Sequence, residues 1–471
     1  MDVANGETVS PDAVIQGSRT TAGSIVARIE RLPRSSMLVR ARLLIGTATF
    51  FDGFDVIAIA ATLPVLVQKW GLSHGQVGLL IAAGAVGQLV GALLFPMLAQ
   101  QFGRVKGIAW SAGLIGLSSI FCGLAPTYTA FLIFRIIQGL GLGGELPVAA
   151  TYINEITKAE GRGRFVLFYE IVFPIGLLVS NAIGAWIVPR LGWQAMYFLG
   201  GVPLILLFSL RRLVPESPRW LAERGRLHDA DLAVAAFENS VKGGVPSLTP
   251  EQTGGKDWDA LLARHPKRRI RELFGRLYLG RTISVALLWI TSGVLQYGLA
   301  TWLPTIFRSV YHAPLQLALN LTVATSVFTV AGALCSALLV DVVGRKPVIN
   351  VSFLLCAVAL AMAGIFHAHS IYLVASLCGA SLGLMGSGFM TAYVYTPELY
   401  PTSIRAMGCG VGSAWLKVAA IVAPAATGAF MDADRLQLAF FAFAMVPLVS
   451  AIVIHFFSIE TKGRVLEELE V

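Results

Sequence analysis

The two halves of this 471-residue chain carry the same landmarks about 240 residues apart, a spacing that marks one structural unit used twice. F-D-G-F-D-V-I-A-I-A-A-T-L-P, ending at Pro64, lines up with T-S-G-V-L-Q-Y-G-L-A-T-W-L-P, ending at Pro304, in register at both glycine and proline. F-G-R-V-K around Gly103 recurs as V-G-R-K-P around Gly344, and Glu155 with Arg162 recurs as Glu398 with Arg405. P-E-S-P-R-W-L at Pro215 is echoed by E-T-K-G-R-V-L at Glu460. Duplicated apolar halves of this kind enclose a site near the bilayer midplane and rock about it.

Lipid is the expected solvent. Mean hydropathy is +0.72 with 56% hydrophobic and 13% charged residues, against roughly a quarter charged in a soluble domain. Stretches of about 20 apolar residues, enough to cross the hydrocarbon core, occur twelve times, six in each half. Span 1 is expected at 42–68, span 6 at 194–212 and span 7 at 282–308. The fold class is therefore an all-α membrane protein of twelve helices in two six-helix pseudo-repeats. Its parts are an N-terminal tail (1–41), a first bundle (42–212), a linker with amphipathic helices (213–281), a second bundle (282–457) and a C-terminal tail (458–471).

The net charge of +9 does not point to nucleic acid, because the basic residues are placed by topology. Of 36 Lys and Arg, only Lys69, Arg190, Arg308 and Arg435 fall in loops after odd-numbered spans, which predicts both termini on the cytoplasmic side of an inner membrane. P-K-R-R-I-R-E-L-F-G-R from Pro266 is a basic patch suited to anionic headgroups. All five cysteines lie in expected spans and have no C-x-x-C spacing, so they read as small packing residues. The polar first 35 residues contain no cleavable leader and are expected to be a mobile tail. No nucleotide, metal or cofactor motif is present, and an enzymatic role is not expected.

These landmarks resemble the major facilitator superfamily of secondary transporters, over residues 40 to 468. Its loop signature is matched by Asp341, Gly344, Arg345 and Lys346. In the first copy Gln100 and Gln101 replace the acid and base while Gly103, Arg104 and Lys106 are kept. The resemblance implies that these loops latch a gate, more weakly in the first half, with Glu155, Arg162, Glu398 and Arg405 in the same network. P-E-S-P-R-W-L and P-E-L-Y-P-T-S-I-R are similar to sugar porters, organic-ion transporters and synaptic-vesicle glycoproteins. D-G-F-D resembles aromatic acid:proton symporters, and G-L-G-G-E-L-P-V-A resembles bacterial nicotinate transporters.

Ionisable groups at bilayer depth mark function, and six stand out: Asp52, Asp55, Arg135, Glu145, Glu170 and Lys417. By resemblance to proton-coupled sugar porters, Asp55 faces Arg135. A guanidinium favours the ionised carboxylate while burial favours the neutral acid, so separating such a pair lets the acid take a proton. The alternative is a static neutralised pair. Asp52 lies one turn before Asp55, and Glu145 sits among glycines beside Pro147. Lys417, where related aromatic-acid symporters carry Arg, is either the anchor for a substrate carboxylate or the partner of Glu170 or Asp52.

Phe54, Tyr169, Gln296, Tyr297, Tyr393 and Trp415 complete the expected substrate cavity, where aromatic rings can stack on a flat ligand. Gln296 and Tyr297 are favoured because Gly293 and Gly298 loosen span 7. The expectation is a monomeric, proton-coupled importer of a small aromatic carboxylate such as nicotinate or benzoate, working by alternating access. Its partners are the organic acid, protons and lipid. An organic-cation carrier is the principal alternative, because acids outnumber bases four to two at bilayer depth. A sugar carrier is disfavoured, since Thr291, Ser292 and Glu170 stand where sugar-reading glutamines are expected.

Overall fold

The computed structural model describes residues 21–33, 35–157, 171–241, 244–245, 270–400, 402–432 and 435–462. Tyr169, Glu170 and Arg162 lie outside them, as does the side chain of Arg405. Among the described residues, eleven helices are long and apolar enough to span a membrane, and a shorter apolar stretch, Gln194–Leu210, stands in the twelfth place.

A short helix α1 (Ala22–Glu30) precedes the first bundle, which consists of α2 (Ser36–Trp70), α3 (His74–Phe102), α4 (Arg104–Leu124), α5 (Tyr128–Ile156), α6 (Val172–Leu191), α7 (Gln194–Leu199) and α8 (Leu204–Leu213). Two linker helices follow, α9 (Pro218–Glu223) and α10 (Leu227–Glu238). The second bundle begins with α11 (Leu279–Gly293), which runs through a π-helical stretch (Val294–Ala300) into α12 (Leu303–Ser309). It continues with α13 (Leu315–Val343), α14 (Arg345–Ile365), α15 (Ile371–Glu398), α16 (Thr402–Asp432) and α17 (Leu436–Phe457).

Local chemistry sets the boundaries. Ser35 and Thr127 cap α2 and α5 through their hydroxyls, and Ser73 with Gln76 forms a reciprocal capping box on α3. Left-handed Gly71 stops α2. The sixth span differs from the continuous helix expected over 194–212: it breaks between α7 and α8 at Gly200–Pro203, where proline has no N–H to continue the ladder. Leu93, Met97, Leu338 and Phe456 stand two-thirds or more exposed on the outer surface, the dress of a chain solvated by hydrocarbon.

The N-terminal segment is not wholly a tail. Ile25 and Ile29 of α1 pack against Trp220, Leu221, Ala230 and Val234 of α9 and α10. Arg28 pairs with Glu238 at 2.6 Å and with Asp231, Arg31 pairs with Glu238 at 2.8 Å, and Arg219 with Glu30 at 2.6 Å. Burial would raise the Glu238 carboxyl, but hydrogen bonds from Arg28 and Arg31 outweigh it and hold it below its ordinary value. This three-helix clip lies on the basic face of the molecule, where Trp220 of α9 donates to the Gln100 carbonyl.

Candidate functional site

The buried ionisable groups fall into three neighbourhoods. In the first, Asp55 on α2 is fully buried, and neither carboxylate oxygen takes a hydrogen bond from a described residue. Ser119, Gln138 and Arg135 surround it, and the broken sixth span brings Gly200 alongside, where a Cβ would fall 2.5 Å from Asp55 Oδ1. The direct Asp55–Arg135 pair expected by resemblance does not form among the described residues. Arg135 Nη1 donates instead to Gln138 Oε1 at 2.7 Å, and the buried Gln138 side-chain nitrogen takes no acceptor among the described residues. Arg135 therefore acts on Asp55 through its field, held by Gln138, a neutral residue that no motif marks.

The second neighbourhood holds Glu145, which is fully buried and accepts from Thr49 Oγ1 at 3.2 Å. Thr49 precedes Asp55 by six residues, about 9 Å along the helix, so Glu145 is set apart from the Asp55 pocket.

Lys417 organises the third, where the two bundles meet. From α16 its Nζ donates to Oε1 of Gln88, on α3, at 2.5 Å. Tyr297, in the π-helical stretch, donates its hydroxyl to the same oxygen at 3.5 Å. Asp52 lies within the field of Lys417, across the boundary between halves, and within that of Asp55 on its own helix. Asp52, expected as one alternative partner of Lys417, is thus its electrostatic neighbour, while the hydrogen bond goes to Gln88, a neutral residue that no motif marks. The π-helical stretch, a distortion frequent at functional sites, falls where Gly293 and Gly298 loosen span 7, and Gln296 lies half-buried within it.

Other expected cavity residues do not converge here. Phe54 is 2% exposed and packs with Ala58, Ala61, Met196 and Leu319, which makes it a core residue. Trp415 is 41% exposed and, two residues from Lys417, occupies a different side of α16. Tyr393 makes T-shaped contacts with Trp289 and Phe389, each at 5.2 Å, in an aromatic cluster between α11 and α15.

The latches on the basic face are nearly identical. Arg104 binds Glu155 at 2.9 Å, and Arg345 binds Glu398 at 3.1 Å and Asp341 at 3.2 Å. A carboxylate then seats on each loop: Glu216 accepts from the N–H groups of Arg104, Val105 and Ser217, and Glu460 from those of Arg345, Lys346 and Thr461. Glycine is required beneath them. Gly103 and Gly344 sit at φ 118° and 113°, and a Cβ would fall 2.3 Å and 2.8 Å from the two carboxylates. Burial pushes the Glu216 carboxyl up, against the pull of its N–H donors. The structural equivalent of Glu460 is therefore Glu216, one residue along from the alignment by motif. The first latch also keeps its Arg–Glu core despite Gln100, because what Gln100 replaces is the pair to Asp341, whose side chain is 57% exposed.

Residues 42–471 match the family described as sugar (and other) transporter. The chain belongs to that family. A niacin transporter, NiaP, of Acinetobacter baylyi is 31% identical over 451 residues, covering 94% of this chain and 99% of the relative. Organic cation/carnitine transporter 7 of Arabidopsis thaliana is 25% identical, covering 90% and 91%. In fold, the chain is similar to the xylose transporter XylE from E. coli in a partially occluded inward open conformation, with TM-score 0.73, 21% identity and coverage of 92% and 100%. The family places the protein among major facilitator transporters of twelve-helix fold rather than among enzymes.

Proposed function

We propose that this transporter imports a small aromatic carboxylate, nicotinate or a benzoate-like acid, together with a proton. The observation that carries the reading is the position of Lys417. It is a cation at the meeting of the two bundles, hydrogen-bonded to a neutral amide and, among the described residues, in contact with no acid. A substrate carboxylate would improve on that partner, since it adds the attraction of an opposite charge to the hydrogen bond. The similarity to a niacin transporter supports the same ligand class.

Asp55 is the group we assign to the proton. It is buried, neither oxygen takes a hydrogen bond from a described residue, and Arg135 reaches it through its field while bonded to Gln138, so a small shift of the guanidinium changes how well the ionised form is held. In this reading Asp52 sets the field at Lys417, and Glu145 with Thr49 is a separate support. The basic face is cytoplasmic, the membrane is the inner membrane and the working unit is a monomer.

An organic cation is the second reading, favoured by Asp52 and Asp55, two buried carboxylates one turn apart on α2. Competition for labelled nicotinate uptake by nicotinamide, benzoate and a quaternary amine decides between them. Inhibition by benzoate alone supports the anion reading, and inhibition by the amine alone replaces it. Lys417→Gln is expected to raise KM for nicotinate at least tenfold; unchanged saturation would remove the anchor.

A further inference from the structure

One seam closes the face opposite the clip. On α3 and α16, which run antiparallel, a Cβ at Gly428 would fall 2.6 Å from the His74 carbonyl oxygen, and one at Gly78 would fall 2.7 Å from that of Pro424. Gln88 with Lys417 continues the same antiparallel register toward the centre, about 15 Å inward from Gly78. The tie between Gln88 and Lys417 thus joins two places at once: it is the central end of the seam and the occupant of the cation assigned to substrate.

Gln88 is held for this task. It is 2% exposed, and α3 is pressed against α5 through Gly84, Gly87 and Gly91, so the residue belongs rigidly to the first bundle. Both donors to its oxygen, Lys417 Nζ and Tyr297 OH, come from the second bundle. Two donors converging on one sp2 oxygen are what a carboxylate oxygen would also find there.

We propose that Gln88 is a built-in surrogate for the substrate carboxylate: in the empty carrier its amide oxygen fills the donor pair of Lys417 and Tyr297 and pins the α3–α16 seam, and an anionic substrate takes over that pair and releases the pin. The inference rests on reading Lys417 as the carboxylate anchor. It adds a selection rule, because affinity becomes a difference between two acceptors. A carboxylate gains over the Gln88 amide through charge, whereas a neutral amide ligand such as nicotinamide exchanges like for like.

The test uses full-length protein in nanodiscs, with two readouts: calorimetric binding of nicotinate, and backbone hydrogen exchange around Gly78 and Gly428 without ligand. Gln88→Glu puts a permanent carboxylate on Lys417, and it is expected to weaken nicotinate at least tenfold and slow exchange along the seam. Gln88→Met removes the competing oxygen and is expected to tighten nicotinate about threefold and speed that exchange. Gln88→Asn, one methylene too short to reach Lys417, should follow Gln88→Met and stands in for it should the thioether variant not fold. Exchange that moves in the same direction in the Glu and Met variants, or in neither, overturns the proposal. So does nicotinate affinity unchanged in both. Exchange of opposite sign in a protein whose wild type binds no nicotinate supports the pin and places the failure in the substrate reading alone.

Discussion

At the residue scale, the informative side chains are those whose chemistry is incomplete. Burying a polar group without a partner costs about 1–3 kcal/mol, and Asp55 leaves both oxygens in that condition among the described residues. Asp55→Asn keeps the shape and removes the proposed proton site. Accumulation of nicotinate in proteoliposomes driven by a proton gradient is expected to fall at least tenfold while exchange of labelled for unlabelled substrate continues. Loss of both fluxes would make Asp55 a structural residue. Asp52, Asp55, Arg135 and Lys417 were legible in the sequence because charge in an apolar run announces itself. Gln88 and Gln138 were not, since a neutral amide costs little in a helix and the partner of Gln88 lies 329 positions away. The Asp55–Arg135 pairing is expected from resemblance alone, and the guanidinium binds the neighbouring Gln138 instead.

At the scale of elements, the clip is half legible in the sequence: amphipathic helices are expected in the linker that holds α9 and α10, whereas α1 is short and follows a polar stretch that masks its apolar face of Ile25 and Ile29. Glu238 is its electrostatic centre, accepting from both Arg28 and Arg31. Glu238→Gln removes the charge, and exchange of amides 22–30 is expected to speed up roughly tenfold, the effect of losing about 1.4 kcal/mol. The pH dependence has a definite sign. A carboxyl held below its ordinary value contributes stability above about pH 4 and loses it as pH falls through the lower, folded-state value. The clip should therefore stay shut from neutral pH down to the ordinary carboxylate range and loosen as pH falls through the lower, folded-state value, read by the same exchange measurement.

Taken whole, the molecule repeats its basic-face latch almost atom for atom, and the repetition yields a quantitative expectation. Glu155→Gln and Glu398→Gln each remove a partly buried Arg–carboxylate contact and are expected to lower thermal stability by about 1–2 kcal/mol. The two sites sit in separate bundles, so the double variant should equal their sum within about 0.5 kcal/mol. Asp341→Asn, at an exposed pair, should change stability by less than about 1 kcal/mol, which is why the first half tolerates Gln100. The twelve spans and their duplication were readable from hydropathy and motif spacing alone. The broken sixth span and the carboxylate on each glycine loop were not, because they depend on which backbone approaches which.

Where α3 meets α16 at Gly78 and Gly428, main chain touches main chain with no side chain between. A gap lined by side chains can open transiently as one rotamer flips, letting a hydronium slip past. Here no rotamer can yield, so the two backbones part only when a whole helix tilts.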